Sequence, residues 1–126
     1  MDQTKTAGMA HDASLPPHIE ILLVDMNGRL RGKRLPPEAG KKIWSGAVRL
    51  PASTQSLDIW GDDNDDLTGI SLTLGDPDGK VIPDSRSHVA MPWAPDGSSQ
   101  MLATMHTLSD EVHFCDPRGM LARVLE

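Results

Sequence analysis

With 126 residues, 38% of them hydrophobic, and a formal net charge of −6, the chain has room for one domain with a modest core. The negative balance weighs against a nucleic-acid binder, which needs clustered cations to meet phosphates. A single cysteine excludes an intrachain disulfide framework and suits a reducing, cytoplasmic compartment.

No apolar run is long enough to span a bilayer. The N-terminal stretch also lacks the apolar segment of a secretory signal. With one Phe and no Tyr, the core must rest on Leu, Ile, Val and Met, with Trp44, Trp60 and Trp93 as its large pieces. Residues 1–17 mix Gly, Ser, Thr, Asp and His without periodicity and end in Pro16-Pro17, which reads as a flexible lead-in.

Ile19 to Val24 is a branched apolar run, followed by Asp25-Met26-Asn27-Gly28. Asn-Gly between two strand-like runs is a strong hairpin signal. The returning strand, Arg29 to Leu35, sets Arg29, Arg31, Lys33 and Leu35 on one face and Leu30, Gly32 and Arg34 on the other. Two readings of the cationic face stand: a solvated sheet surface, or a surface that meets an acidic partner such as an identical subunit.

Pro36-Pro37-Glu38 has the marks of a helix start, and Ser45-Gly46 of its end. Ala39, Ile43 and Trp44 are its candidates for packing on a sheet. Ala47 to Leu50 reads as a strand stopped by Pro51. A polar loop then leads through the acidic cluster Asp62, Asp63, Asp65 and Asp66 into an expected strand, Ile70 to Leu74. Gly75-Asp76-Pro77-Asp78-Gly79 would turn it back into Lys80-Val81-Ile82, ended by Pro83. The loop from residue 50 to 66 is thus expected to be long, exposed and held by a rigid hairpin.

Ser85 to Ser99 reads as loop, with Met91-Pro92-Trp93 its one sticky segment. Gln100 to Thr107 alternates as a strand, with Met101, Ala103 and Met105 on one face. A turn over Leu108 to Glu111 and a short returning strand, Val112 to Cys115, should follow. Asp116 is a good N-cap with Pro117 at the first helical position, and Met120, Leu121, Val124 and Leu125 fall at helical spacing. No stop signal follows, so residues 116–126 read as the start of a helix leading into further sequence.

This order predicts an α+β chain: residues 18–115 as a β-grasp-like mixed sheet with one helix packed across it, plus the start of a C-terminal helix. Complete chemistry is not visible in it. Asp62, Asn64 and Asp66 match the first alternating ligands of a calcium loop, but Leu67 stands where Gly is required and Thr73 where Glu is. A solvated acidic loop is the favoured reading. The five histidines, at 11, 18, 88, 106 and 113, form no close ligand pair, although His106 and His113 could face each other across a hairpin. Cys115 has only His113 near it as a base, which points to a structural thiol. Gly75 and Gly79 belong to a turn with no helix after it, so they do not form a phosphate loop. No catalytic, cofactor-binding or metal residue is assigned, and the residues read as a binding or assembly domain.

The motifs V-D-M-N-G-R-L-R-G-K-R-L-P, L-P-A-S-T-Q-S-L-D, G-D-D-N-D-D, G-D-P-D-G-K-V-I-P-D, M-P-W and D-P-R-G-M-L-A-R-V-L occur in that order. Together they resemble the N-terminal β-grasp domain of glutamine synthetase-like ligases, nearest the gamma-glutamylpolyamine (gamma-glutamylputrescine) synthetase branch. The similarity runs from Ile19 to Glu126. It implies a large catalytic domain after residue 126 and assembly of the full-length protein as a homo-oligomer, a dodecamer of two stacked hexameric rings. It also implies ATP and magnesium or manganese, with glutamate and ammonia or an amine as substrates, and a fragment that is inactive alone.

In that family the β-grasp domain lends a loop to the neighbouring subunit's active site. The matching loop here is residues 50–66, which makes Ser53, Thr54, Asp62, Asp65 and Asp66 the candidate substrate-binding residues. Ammonia-using members place an Asp where this sequence has Pro51, which favours a bulkier amine. Asp65 or Asp66 matches the family's second loop acid. The alternative is a free-standing β-grasp interaction module without catalysis, and sequence beyond residue 126 separates the two.

Overall fold

The computed structural model describes residues 17–63, 70–71, 75–94 and 96–126. The lead-in before Pro17 and the expected strand residues 72–74 lie outside them. Strand β1 (Ile19–Val24) turns through Asp25–Gly28 into β2 (Leu30–Leu35), as the Asn-Gly signal predicts. A single 3-10 turn, Pro37–Ala39, leads into α1 (Gly40–Trp44). Then come β3 (Arg49–Pro51), a 3-10 turn at Ala52–Gln55, β4 (Asp78–Pro83), a further turn at Ser85–Ser87, β5 (Val89–Ala90), β6 (Ser99–His106) and α2 (Pro117–Leu125).

The strands form one six-stranded mixed sheet in the order β2-β1-β6-β4-β3, with β5 paired to β6 off that path. The central β1–β6 pair is parallel, with Ile19 opposite Ser99 and Leu22 opposite Leu102; the other pairs are antiparallel. Register decides which face is buried. Ile21 opposes Met101, Val81 opposes Met105 and Leu50 opposes Gly79, so these residues share a face. Ile21, Met101, Val81, Met105 and Ala103 are each at most 1% exposed.

Helix α1 lies against this face through Ile43, its only buried residue. Five residues cannot hold a helix on propensity, so the packing of Ile43 holds it. The architecture is the expected α+β, β-grasp-like one. Gly32 is required in β2 because a Cβ there would sit 1.8 Å from the Ile21 carbonyl oxygen, which belongs to the backbone and cannot move aside.

Several local expectations change. Trp44 does not pack in the core; it is 48% exposed, with its ring edge-on to His88 at 5.8 Å, because Ile43 alone points inward from so short a helix. Ile70 and Ser71 are both buried, which breaks the expected in-and-out alternation, and neither is in a strand. The neighbours of β4 among the described residues are β3 and β6, while most of the expected hairpin partner, residues 72–74, lies outside them.

Val112 to Cys115 makes a single bridge, Val112 to His106, and no returning strand. The His113 N–H donates to the Met105 carbonyl at 2.9 Å, and the chain then turns into the cap of α2. His106 and His113 do not face each other as partners: His106 Nδ1 meets the Asp110 carbonyl at 3.1 Å, whereas His113 Nδ1 meets Cys115 Sγ at 2.9 Å.

Arg31 opposes Leu23 and Lys33 opposes Ile21, so the expected cationic face overhangs the margin of the core. Arg31 Nε donates to Asp25 Oδ2 at 2.6 Å, and Lys33 Nζ donates to the Arg49 carbonyl at 2.6 Å. On the opposite face, Arg34 Nε meets Glu20 Oε1 at 3.0 Å. Much of this charge is therefore satisfied within the chain.

Candidate functional site

The loop after β3 is rooted far more firmly than a polar sequence suggests. The Ser53 N–H donates to Asp76 Oδ1 at 3.0 Å and the Ser53 hydroxyl donates to Asp76 Oδ2, so the turn at residues 75–79 clamps the loop. Ala52 N–H donates to the Pro77 carbonyl at 3.0 Å. Gln55, 1% exposed, donates from Nε2 to the Val24 carbonyl at 3.1 Å and to Asp116 Oδ1 at 2.6 Å. In return, the Met26 N–H donates to the Gln55 carbonyl at 2.9 Å, and Asn27 Nδ2 donates to the Leu57 carbonyl at 2.8 Å.

The β1–β2 turn that donates these last two bonds is itself fixed by Asp25. Its carboxylate accepts from the Asn27 and Arg29 N–H groups, both at 2.8 Å, and from Arg31. Burial opposes ionisation of Asp25, but the Arg31 guanidinium and the two backbone donors outweigh it and hold its pKa below the usual carboxylate value.

Beyond this root the chain makes a second, self-contained turn. Asp58 Oδ1 accepts from Trp60 N–H at 2.8 Å and from Asp62 N–H at 3.0 Å, while Asp58 N–H donates to the Asp62 carbonyl at 2.9 Å. Gly61 sits at φ +89°, in the left-handed region that side chains disfavour, above the Arg31 guanidinium. This arrangement presents Ile59, 53% exposed, and Trp60, 84% exposed, beside the exposed acids Asp62 and Asp63. An indole exposed on a hydrogen-bonded turn is shaped to meet something else.

Of the predicted site residues, Ser53 is buried and serves the root of the loop, so it is not displayed to a substrate in this arrangement. Thr54 is half-buried and Asp62 is exposed at the tip. Asp65 and Asp66 lie outside the described residues, as does Asn64 of the calcium pattern. Among the described residues no three His, Cys, Asp or Glu side chains stand together so as to hold a metal ion.

Cys115 is buried beside His113; burial, reinforced by Asp116, pushes its thiol up to about 11. Burial also lowers the pKa of His113, against the pull of Asp116. A neutral thiol beside a neutral imidazole is the reverse of an activated nucleophile. A separate groove lies between α2 and the outer face of β4 and β6, lined by Ile82, Thr104, His106 and Leu121, and shares no residue with the loop. No helix among the described residues is long and apolar enough to cross a membrane.

Sequence reasoning missed Gln55 and read Asp76 only as a turn former. Asp116 was legible as a helix cap, but nothing local announced that its other oxygen reaches the loop.

No family model matches the chain. Gamma-glutamylputrescine synthetase PuuA of Escherichia coli (strain K12) is 33% identical over 107 residues, covering 85% of this chain and 22% of that protein. Among solved structures, GmaS in complex with ADP matches with a TM-score of 0.68 at 24% identity, covering 87% of this chain and 22% of that one. A novel glutamine synthase homolog matches with a TM-score of 0.71 at 15% identity, covering 86% of this chain and 26% of that one. At these identities the two structures bear on fold alone, and the chain spans less than a quarter of the length of its sequence relative. With that sequence match over most of its length and this fold, the chain belongs to the glutamine synthetase-like ligase family, as an N-terminal domain of β-grasp type.

Proposed function

We propose that this chain serves as the N-terminal domain of an ATP-dependent ligase that joins glutamate to an amine, and that residues 50–66 complete the active site of a neighbouring subunit. The observation that carries this reading is the loop itself. Its root is fixed by the buried side chains Ser53 and Gln55, while its tip holds Ile59, Trp60, Asp62 and Asp63 out to solvent. A loop fixed at its base and apolar at its tip suits insertion into a site built by another subunit of a homo-oligomer, a dodecamer in this reading.

The amine is favoured over ammonia by Pro51, which stands where ammonia-using members have a carboxylate. The name of the relative, gamma-glutamylputrescine synthetase, supports the same direction. In this role the acids of the loop, including Asp65 or Asp66, draw a cationic amine toward the site by electrostatic attraction. ATP and magnesium or manganese, which the family resemblance implies, would in this reading be held elsewhere in the ligase. A reducing, cytoplasmic setting fits the single cysteine.

The test is ATP-dependent ligation by a protein carrying this domain with the rest of the ligase, assayed with glutamate and ammonia, methylamine or putrescine. Asp65→Asn or Asp66→Asn should raise the KM for the amine several-fold, with little change in the KM for glutamate. Unchanged kinetics in both variants would end the role given to the loop acids. Absence of ligation with every amine would leave the free-standing β-grasp interaction module as the better reading.

A further inference from the structure

We propose that Gln55 is the positioning residue of this loop, tying its displayed tip to β1 and to the cap of α2 through one buried amide. The inference deepens the reading of the loop as part of a composite site and rests on it. The geometry is specific. Gln55 Nε2 points at two acceptors, the Val24 carbonyl at 3.1 Å and Asp116 Oδ1 at 2.6 Å, so the amide can sit only one way round.

Asp116, fully buried, divides its carboxylate between two tasks. Oδ1 takes Gln55 together with the Met105 N–H at 3.1 Å, and Oδ2 caps α2 by accepting the Gly119 N–H at 2.7 Å. One carboxylate is thus shared by the central strand, the start of α2 and the loop. Gln55 Oε1 is buried without a hydrogen-bond partner among the described residues. An apolar side chain would relieve that one acceptor but leave the Val24 carbonyl and the buried Asp116 Oδ1 without their donor, so only a long amide answers both. Retaining the amide makes sense if its direction matters, because it fixes where the segment from Leu57 to Asp63 leaves the body of the domain.

The test uses this chain alone, without nucleotide, glutamate or amine, so its outcome is separate from that of the ligation assay. Backbone ¹⁵N order parameters are measured for Leu57–Asp63 and for β1 and β6 in the parent, in Gln55→Met, in Gln55→Asn and in Val81→Ala. Met keeps the approximate volume but removes both donated bonds; Asn keeps the amide but is one methylene too short to span both acceptors. Val81→Ala weakens the core at a fully buried residue of β4. Order parameters of 57–63 should fall from about 0.85 to about 0.6 or below in Gln55→Met, and partway in Gln55→Asn, while those of β1 and β6 hold. They should stay at the parent value in Val81→Ala. An ordered loop in both Gln55 variants overturns the proposal, and so does equal loosening in Val81→Ala, which would make the effect one of general stability. Should Gln55→Met fail to fold, Gln55→Asn decides alone.

Discussion

Removing the carboxylate of Asp116 should be among the most damaging single changes in this chain. In Asp116→Ala three donors lose their acceptor at once: the Gly119 N–H at the cap of α2, the Met105 N–H of β6 and Gln55 Nε2. Loss of a helix cap costs about 1 kcal/mol. Each buried donor left without a partner costs about 1–3 kcal/mol. The expected loss is therefore about 3–7 kcal/mol, a large part of the roughly 5–15 kcal/mol that holds a typical domain folded. With a urea dependence of about 2 kcal/mol per molar, the midpoint should drop by about 2 M. Urea titrations followed by far-ultraviolet circular dichroism and by tryptophan fluorescence measure this directly. Asp116→Asn, which keeps one oxygen but turns the other into a donor, should fall between parent and Ala. A midpoint shift under about 0.5 M for Asp116→Ala, with unchanged slope, would refute the argument that this one carboxylate secures three elements.

Two further outcomes are expected. The Asp25 carboxyl is held below its ordinary pKa in the folded chain, so its contribution is complete above the unfolded value of about 3.9 and is lost as pH falls through the lower folded value. Thermal unfolding from pH 6 to pH 2 should show this acid lability below about pH 4. Asp25→Asn should be less stable at pH 6 and should lose less on acidification; parallel curves for the two proteins would contradict the assignment. The Cys115 thiol, buried and pushed up to about 11, should resist an aromatic disulfide reagent at pH 8 in the native protein and react at least about tenfold faster in urea. Fast stoichiometric labelling without denaturant would show that the thiol is reachable.

What could be read from the sequence was what short-range chemistry decides. Asn27-Gly28 specified the first hairpin, the alternation of Met101, Ala103 and Met105 specified the buried face of β6, and Asp116-Pro117 specified the start of α2. The failures share a cause. Strand β4 pairs with β3 and β6, segments distant in sequence whose Leu50 and Met105 oppose Gly79 and Val81, and no local signal specified that pairing. Ser53 and Gln55 belong by composition to an exposed loop and are buried, because their partners Asp76, Val24 and Asp116 are distant in sequence and close only after folding. The exposed side of the candidate site, Ile59 to Asp63, was legible as a loop and not as a turn fixed by Asp58. That turn depends on a side chain accepting two backbone bonds, for which a lone Asp in an acidic stretch gives no distinctive signal.

The central parallel pair has a consequence for how the molecule is made. Ile19 lies opposite Ser99, so β1 pairs on one side with a strand synthesised some 80 residues later. Until then the nascent chain carries the β1–β2 hairpin with the β1 edge, rich in Ile and Leu, unpaired and in need of shelter from other chains. The slow step of maturation should be this late closure, and trigger-factor-like chaperones should bind the ribosome-bound chain ahead of the emergence of Met101 more strongly than after it.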